Sequence, residues 1–467
     1  MHASARRHAI RTKPRAARTA LGAAIAALLV LPAAARAEHA PSQDPGPTGC
    51  ISEGGSPDCT DADLLTGAFS VALSNDGRHA YVALADGRGV AALARDRRTG
   101  ALAQLPSPTG CTSQTGTGGL CATGRGLHVP IAAAVSPDGR HVYVVSQQRD
   151  PVTLSALALF ARDASTGALT QLAGLAGCIS GDLPGECTPG IGLGSAASVA
   201  ISPDGRSVYV ASASDAVAVF ARDAATGALT QLAEPYGCVS QSGSGGQCTQ
   251  GKALDGARAV AVSRDGEFVY VGSELSRAVA VFSRDRRTGA LTQLPGEDGC
   301  IADNGSIETC TDGVGLGGPV AVTISPNGRN VYVASSVSHE VAALARDRKS
   351  GTLRPMHCTR NDVSVVCEAG VALRQPFSVT VGRDGKRVYV AARDSDAVAV
   401  FGRDRKTGWL TQLASPAGCI SDDGSEGLCT DGRALRDPRS VAVSRDGRHL
   451  YVAAQGSAAV AVLKTGR

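Results

Sequence analysis

The sequence is poor in aromatic residues and in long apolar runs, and each scarcity excludes a class of protein. Aromatic residues make up 3% of the 467 residues, with one Trp and seven Phe. No basic stripe interleaved with aromatic stacking residues is present, so we expect no nucleic acid partner. After residue 37 no stretch approaches the roughly 20 apolar residues that cross a bilayer. We therefore expect no transmembrane segment there.

Several motifs of catalysis and metal binding are missing as well. The chain has no Gly-x-Ser-x-Gly, no His-Glu-x-x-His and no P-loop, the signatures of three large enzyme groups. Gly313-x-Gly315-x-x-Gly318 matches a dinucleotide fingerprint, but it leads into a predicted strand instead of a helix. No Cys-x-x-Cys occurs and no His recurs beside the cysteines. We predict neither a metal site nor a cofactor.

The chain is instead organised by a repeat. The segment 202–210 reads Ser-Pro-Asp-Gly-Arg-Ser-Val-Tyr-Val, and versions of this motif occur seven times at nearly even spacing. The copies begin at Ser74, Ser136, Ser202, Ser263, Ser325, Gly382 and Ser444. Such a regular period is typical of repeat architectures.

Each repeat predicts four antiparallel strands. In the third copy, residues 198–202 alternate with the two-residue period of a strand, and Pro203-Asp204-Gly205 has turn chemistry. Val208-Tyr209-Val210 returns as the second strand. Residues 216–220 and 228–232 follow as the third and fourth strands, joined by an Asp-x-x-Thr-Gly turn. Seven repeats of this kind predict an all-β, seven-bladed β-propeller.

The motif also repeats a tyrosine and, in three copies, a histidine. Seven of the eight Tyr stand at the same motif position, which predicts packing within every blade. His79, His141 and His449 share one position of the second strand, where we expect exposed side chains.

Residues 1–37 are predicted to be a signal peptide. Six basic residues precede the uncharged apolar run from Ala20 to Leu31, and Ala35-Arg36-Ala37 matches a cleavage site. Residues 38–467 then form a single propeller domain, expected to be a monomer secreted to the periplasm or the cell exterior. Their 39 Lys and Arg against 42 Asp and Glu give a net charge of −3. This balance offers nothing strongly basic to attract nucleic acid.

The last repeat lacks a fourth strand, which bears on how the ring closes. Its third strand, residues 458–463, almost reaches the end of the chain. Residues 40–47 precede Cys50, where the other repeats have their fourth strand. We predict that this N-terminal segment forms the outer strand of blade seven. Pro41 and Pro45 are compatible with an outer edge strand, where a missing N–H is tolerated.

The 14 cysteines form seven pairs, one in each repeat. The two members stand close together in the sequence, and the second precedes the motif by the same interval in every repeat. In an exported chain this pattern predicts seven local disulfides: Cys50–Cys59, Cys111–Cys121, Cys178–Cys187, Cys238–Cys248, Cys300–Cys310, Cys358–Cys367 and Cys419–Cys429. The seven loops are expected on the face that also carries the links from second to third strands. We call it the crowned face.

Two rings of positions are predicted to surround the channel mouth at the crowned face. Five residues before the motif Ser (or Gly382) stand Phe69, Ile131, Ala197, Arg258, Val320, Phe377 and Arg439. Four residues after the motif Tyr stand Ala85, Gln147, Ala213, Glu274, Ser336, Arg393 and Gln455. Several arginines at a mouth suit a carboxylate or phosphate ligand. A structural Arg258–Glu274 ion pair at the rim is the alternative.

The repeats resemble the seven-bladed propeller lactonases, which include bacterial 6-phosphogluconolactonases and carboxymuconate-lactonising enzymes. The shared segments are Ser-Pro-Asp-Gly-Arg-x-Val-Tyr-Val, Val-Ala-Val-Phe-x-Arg-Asp and Thr-Gly-Ala-Leu-Thr, which belong to the scaffold. The family's functional segments are Pro-Arg-His before a first strand and Asn-Glu-Leu after a second. Arg258 and Glu274 match them in part, with Ala259 in place of the His. Pro438-Arg439-Ser440 also lacks the His, and His128 is the nearest possible substitute.

Two functions are compatible with this pattern. The resemblance implies a secreted lactonase-like hydrolase acting on a lactone or related ester of an anionic small molecule. Glu274 would be its general base, and Arg258 would stabilise negative charge. The candidate substrate-binding residues are then Arg439, Arg393, Gln147, Gln455 and His128. The alternative is a non-enzymatic propeller whose crowned face binds a ligand or an unidentified protein, which the small residues at most mouth positions favour.

Overall fold

Seven small sheets follow one another along the chain, one for each repeat. The structure is a computed structural model and describes residues 40–55, 57–148, 154–362 and 364–466. Each inner strand contacts the inner strands of both neighbouring sheets, so the ring is closed. The predicted all-β, seven-bladed β-propeller is confirmed. The predicted signal peptide, residues 1–37, lies outside the described residues.

Three strands form the main part of every sheet and pair antiparallel. The inner strands are Ala68–Leu73, Pro130–Val135, Ala196–Ile201, Ala257–Val262, Pro319–Ile324, Pro376–Val381 and Pro438–Val443. The second strands are His79–Leu84, His141–Gln148, Ser207–Ser212, Phe268–Ser273, Asn330–Ser335, Arg387–Ala392 and His449–Ala454. The third strands are Gly89–Arg95, Leu154–Arg162, Ala216–Arg222, Ala278–Arg284, Glu340–Arg346, Ala397–Arg403 and Ala459–Lys464.

The fourth strand is split into two pieces in six blades, and both pieces pair with the third strand. The first pieces are Ser42–Gln43, Leu102–Gln104, Leu169–Gln171, Leu229–Gln231, Leu291–Gln293 and Leu410–Gln412. The second pieces are Cys50–Glu53, Cys111–Ser113, Cys178–Ser180, Cys238–Ser240, Cys300–Asp303 and Cys419–Ser421. In blade five the single strand Leu353–Arg360 replaces both.

A short strand that the repeat pattern does not predict follows each disulfide loop and pairs parallel to the cysteine piece. These strands are Thr60–Ala62, Ala122–Thr123, Thr188–Pro189, Thr249–Gln250, Thr311–Gly313, Glu368–Ala369 and Thr430–Asp431. The helices of the described residues are short 3₁₀ turns: Pro47–Gly49, Gly116–Gly119, Gly174–Gly177, Gly243–Gly246, Gly296–Gly299, Arg393–Ser395 and Gly424–Gly427. None of them is long and apolar enough to cross a membrane.

The hydrophobic core lies between neighbouring sheets. One cluster joins Tyr143 and Val145 of blade two to Val208 and Val210 of blade three. Because each sheet is covered on both faces, every residue of the second strand Ser207–Ser212 is buried. This explains why the strand, apart from the motif Tyr209, is a run of small and β-branched residues.

Neighbouring blades are also joined by a repeated polar cluster, which we call the clasp. In blade three, Arg222 donates through Nε to the Tyr143 hydroxyl of blade two at 2.8 Å. Its Nη2 lies 2.7 Å from an Asp138 carboxylate oxygen and 2.6 Å from Nδ1 of His141. The Tyr143 hydroxyl donates in turn to the Gly227 carbonyl at 2.9 Å. The buried guanidinium is therefore paired and hydrogen-bonded, as a buried charge requires.

Clasp arginines join six of the seven pairs of adjacent blades. They are Arg95, Arg162, Arg222, Arg284, Arg346 and Arg403. Between blades six and seven, Thr465 stands in their place. Its carbonyl accepts from the Tyr389 hydroxyl at 3.2 Å, and its Oγ1 donates to the Gly447 carbonyl at 2.8 Å.

The expectation of exposed histidines is wrong. His79, His141 and His449 are buried, with 5%, 4% and 2% exposure. Each directs Nδ1 at a clasp arginine of the next blade. Burial, together with the positive charge of Arg222, lowers the pKa of His141, which favours the neutral ring that accepts the hydrogen bond. The next blade supplies this burial, and a single repeat does not reveal it.

The predicted disulfides and the predicted ring closure are both confirmed. All seven cysteine pairs are bonded, with Cα–Cα distances of 4.7–4.9 Å. The N-terminal segment pairs with the third strand of blade seven, Ser42 opposite Lys464 and Cys50 opposite Ala461. The Arg433 N–H donates to Gln43 Oε1 at 2.8 Å, and Gln43 Nε2 donates to the Arg433 carbonyl at 3.1 Å.

Deleting residues 38–47 should lower the melting temperature, because the deletion uncovers the outer edge of blade seven and removes the Gln43 bonds. Differential scanning calorimetry of the deleted and intact chains measures the effect. An unchanged melting temperature would contradict the role of this segment in closure.

Arg222→Met should destabilise the protein by about 3–5 kcal/mol, because it leaves buried clasp partners without the guanidinium. Arg354→Met is the matched control, since the Arg354–Asp298 pair is 56% and 42% exposed and should contribute at most about 1 kcal/mol. Urea unfolding at pH 7 measures both. An equal loss of unfolding free energy in the two variants would show that the clasp stabilises the protein no more than an exposed ion pair does.

The cost of Arg222→Met should shrink in acid. Burial by itself raises the pKa of Asp138. Hydrogen bonds from Ser136, Arg222 and the Arg140 backbone, together with the Arg222 charge, outweigh burial and lower the pKa to about 2. Because the folded pKa lies below the unfolded value of about 3.9, this stabilisation is complete above that value and disappears as the pH falls toward 2. The difference in unfolding free energy between wild type and variant should therefore be smaller at pH 3 than at pH 7. A constant difference would exclude Asp138 as the linked group.

Candidate functional site

Each inner strand carries a β-bulge at its second residue. In blade four, Ala257 pairs with Ser273 and Ala259 with Gly272, so Arg258 is the extra residue between them. The same register shift occurs in all seven blades, at Phe69, Ile131, Ala197, Arg258, Val320, Phe377 and Arg439. These residues are the first predicted ring. A bulge re-aims a side chain and is common beside functional sites.

The seven bulged residues line one cavity of ≈180 Å³. Because every blade contributes a residue, the cavity surrounds the channel axis. The bulges stand where the inner strands begin, next to the disulfide loops, so the cavity opens at the crowned-face end. Its other lining residues are all polar: Ser70, Gln147, Ser198, Ser378 and Ser440. Among the candidate site residues, Arg258, Arg439 and Gln147 are thus brought together.

Arg258 links the cavity to Glu274. The pairing of Ala257 with Ser273 places the two side chains side by side, and Arg258 Nε donates to Glu274 Oε2 at 2.5 Å. Their side chains are 25% and 22% exposed. The ion pair that the sequence suggested as a structural alternative does form, while Arg258 also lines the cavity. Among the described residues, no other hydrogen bond or ion pair engages its guanidinium.

Arg439 is held more tightly than Arg258. Its Nε and Nη2 lie 2.9 and 3.0 Å from the two carboxylate oxygens of Asp437. Its guanidinium also lies 5.2 Å from the centre of the Phe69 ring and 5.0 Å from that of Phe377. These cation–π contacts and the carboxylate hold the charge at the cavity wall, where the side chain is only 12% exposed.

Asp437 also contacts Arg393, another of the candidate substrate-binding residues. Arg393 Nε lies 3.2 Å from Asp437 Oδ1, and Arg393 Nη1 donates to Gln375 Oε1 at 3.2 Å. Arg393 does not line the cavity. Its contact with the site runs through Asp437, which bridges it to Arg439.

Two other candidates lie away from the cavity. Gln455 donates to Asp86 Oδ2 of the neighbouring blade at 3.2 Å, and His128 is half-buried in the loop before the inner strand of blade two. Burial and the charge of Arg88 lower the pKa of His128. Neither residue lines the cavity, and no His is among the described residues that do.

The four lining serines were not among the candidate site residues. They follow the bulged residue in their blades, the position at which every blade carries Ser or Ala. Ser440 Oγ accepts from the Val71 backbone of blade one at 3.3 Å, and Ser378 Oγ accepts from Val441 of blade seven at 3.2 Å. These two hydroxyls tie neighbouring inner strands together. Ser70 and Ser198 make no side-chain hydrogen bond with the described residues and are available to a ligand.

Comparison with known proteins gives one family and several relatives. A model of the lactonases with a seven-bladed β-propeller matches residues 246–420, a stretch that includes Arg258 and Glu274 but not Arg439. The 6-phosphogluconolactonase of Bacillus subtilis is 30% identical over 114 residues, which cover 24% of this chain and 30% of the relative. The chain thus matches less than a third of the length of this curated relative.

Solved structures show the same fold. The periplasmic gluconolactonase of Pseudomonas aeruginosa is 22% identical with a TM-score of 0.51, covering 74% of this chain and 83% of that chain. The β-propeller domain of Cps50 (Swd1) from Myceliophteria thermophila reaches the same TM-score at 11% identity, covering 85% and 97%. Fold similarity alone therefore does not separate a lactonase from other propellers. It shows the seven-bladed β-propeller fold, and residues 246–420 of that fold are similar to the lactonase family.

Proposed function

We propose that this chain hydrolyses a lactone, or a related ester, of a small anionic molecule in the cavity at the crowned face. The supporting observation is the position of Arg258, which lines the cavity and is paired with the Glu274 carboxylate. A cation that can bind developing negative charge and a carboxylate that can accept a proton thus stand next to each other. The match of residues 246–420 to the lactonase family adds weight to the same chemistry.

Hydrolysis uses these groups in a simple order. Water adds to the lactone carbonyl carbon while the Glu274 carboxylate accepts its proton. The Arg258 guanidinium stabilises the oxyanion that forms on the carbonyl oxygen. The ring C–O bond then breaks, and its oxygen takes the proton back from Glu274, which leaves an open-chain hydroxy acid. Glu274 contacts Arg258 and is not itself a lining residue, so in this mechanism the attacking water lies at their contact.

The lining favours a small, polar and anionic substrate. A cavity of ≈180 Å³ lies below the range of about 300–1,000 Å³ that is typical of sites for drug-sized ligands. Serine hydroxyls and Gln147 offer hydrogen bonds, and Arg439 offers a fixed positive charge. The names of the two relatives point to sugar-acid lactones, with and without a phosphate, as the first compounds to test.

The proposal extends to the compartment. Seven disulfides persist only where thiols are oxidised, which supports export, and one structural neighbour is described as periplasmic. The predicted signal peptide would supply the route.

A binding propeller without catalysis is the second candidate. The observation that favours it is the closed Arg258–Glu274 pair, together with Ala259 where the lactonase family carries His. Such a protein would hold the same small anion without turning it over.

Glu274→Gln should lower kcat/KM for any lactone that the wild type hydrolyses by about 10²–10⁴-fold, because the amide cannot accept the water proton. A panel containing gluconolactone and 6-phosphogluconolactone, assayed by acid release at constant pH, measures the rates. Glu267→Gln, an exposed glutamate on the opposite face, is the control and should retain the wild-type rate.

Two outcomes would count against this mechanism. Equal rates for wild type and Glu274→Gln would remove Glu274 as the base. A wild-type protein that binds the product acids but turns over none of the lactones would favour the binding propeller.

A further inference from the structure

Basic side chains gather on the face opposite the crowned face. This turn face consists of the first-to-second and third-to-fourth turns of the blades. Four of its third-to-fourth turns carry two adjacent basic residues, all exposed: Arg97-Arg98, Arg286-Arg287, Arg348-Lys349 and Arg405-Lys406. We call them the dibasic turns.

The dibasic turns do not need their charges to fold. Blade three has Ala224-Ala225 at the same place. There the Ala225 N–H donates to Asp223 Oδ1 at 2.7 Å, and in blade four the Arg287 N–H donates to Asp285 Oδ1 at the same 2.7 Å. Since the backbone bonds are identical with and without basic side chains, the charges are available for another role.

A second basic group lies nearer the channel axis on the same face. Arg264, Arg383 and Arg445 occupy the second motif position in blades four, six and seven, and all three are exposed. Blades two, three and five have Pro at this position, so this turn too forms without a charge. Partial burial of the guanidinium and the charges of Arg264 and Arg445 lower the pKa of Arg383, as expected for an arginine that stands between two other basic groups.

Most aspartates of the turn face are already engaged. Five of the motif aspartates pair with buried clasp arginines: Asp76, Asp138, Asp204, Asp265 and Asp446. The first aspartate of each third-to-fourth turn accepts backbone N–H groups of its own turn, as Asp285 does. The face is thus positive although residues 38–467 carry a net charge of −3.

The shape of the face favours a broad, flat partner. The motif turns have the same length in every blade, and so do the third-to-fourth turns of blades one to six, whereas the crowned face carries the longer disulfide loops. Trp409, the single Trp of the chain, adjoins Arg405-Lys406 and is 41% exposed. Its indole stacks on His357, with 3.9 Å between ring centroids. Basic residues with an exposed Trp are typical of protein surfaces at a membrane interface.

We propose that the turn face docks on an anionic lipid surface, where the dibasic turns and the three inner arginines bind the phosphates of the headgroups. Each basic residue close to an anionic bilayer raises the affinity about fivefold. Docking in this direction leaves the crowned face, with its cavity, open to the surrounding solution.

Vesicle binding tests this directly. Vesicles of equal phosphatidylglycerol and phosphatidylcholine are compared with pure phosphatidylcholine, by co-sedimentation and by the emission of Trp409. We expect binding to the anionic vesicles alone, weakened by about 0.5 M salt because screening shortens the range of the charges. The variant R286A/R287A/R348A/K349A adopts the uncharged turns of blade three and should bind at least about 100-fold more weakly. R374A/R436A, which removes two exposed arginines of the crowned face, should bind like wild type.

Several results would overturn the proposal. Equal binding to both vesicle types, or equal loss in the two variants, would exclude the turn face as the docking surface. Tighter binding to soluble polyphosphate than to vesicles would assign the face to a free polyanion. Self-association that the four-alanine variant abolishes would assign it to a second copy of the chain. Melting temperatures of the variants verify that each is folded.

Discussion

The buried clasp arginine is the interaction on which the rest of the ring depends. Five clasp arginines have side chains only 0–2% exposed, and a cation at such a depth is stable only with carboxylate and hydroxyl partners. The preceding blade supplies both, through its motif Tyr and Asp. A blade with a clasp arginine therefore cannot complete its own polar contacts, which explains why the motif returns from repeat to repeat and why it is scaffold.

The features that depend on local turn chemistry and on the regular spacing of the repeats were predictable from the sequence. Seven motif turns, five of them Ser-x-Asp-Gly, predicted the blade count. The cysteine spacing predicted the disulfides, and the missing fourth strand after residue 463 predicted the closure. The burial of His141 was not predictable, because the next blade creates it. The split of the fourth strand was not predicted either. The cysteine piece pairs with the beginning of the third strand, whereas the predicted fourth strand pairs with its end.

The site was predictable as a ring of positions and not as a set of contacts. Counting five residues back from each motif selected the residues that the β-bulges turn toward the axis, including Arg258 and Arg439. The bulge itself leaves no mark in the sequence. The contacts of Arg439 with Phe69, Phe377 and Asp437 join blades one, six and seven, whose closeness only ring closure provides. Charge segregation between the two faces is hidden in the same way, because net charge averages over both.

The scaffold and the candidate site thus use different residues of one repeat: the motif builds the interfaces, and the positions that break the repeat line the cavity. A crystal structure of the protein with gluconate or 6-phosphogluconate tests this division most directly. The account predicts the acid in the crowned-face cavity, with its carboxylate on Arg258 or Arg439 and its hydroxyls on Ser70 or Ser198. An acid bound elsewhere, with this cavity holding none, would contradict it.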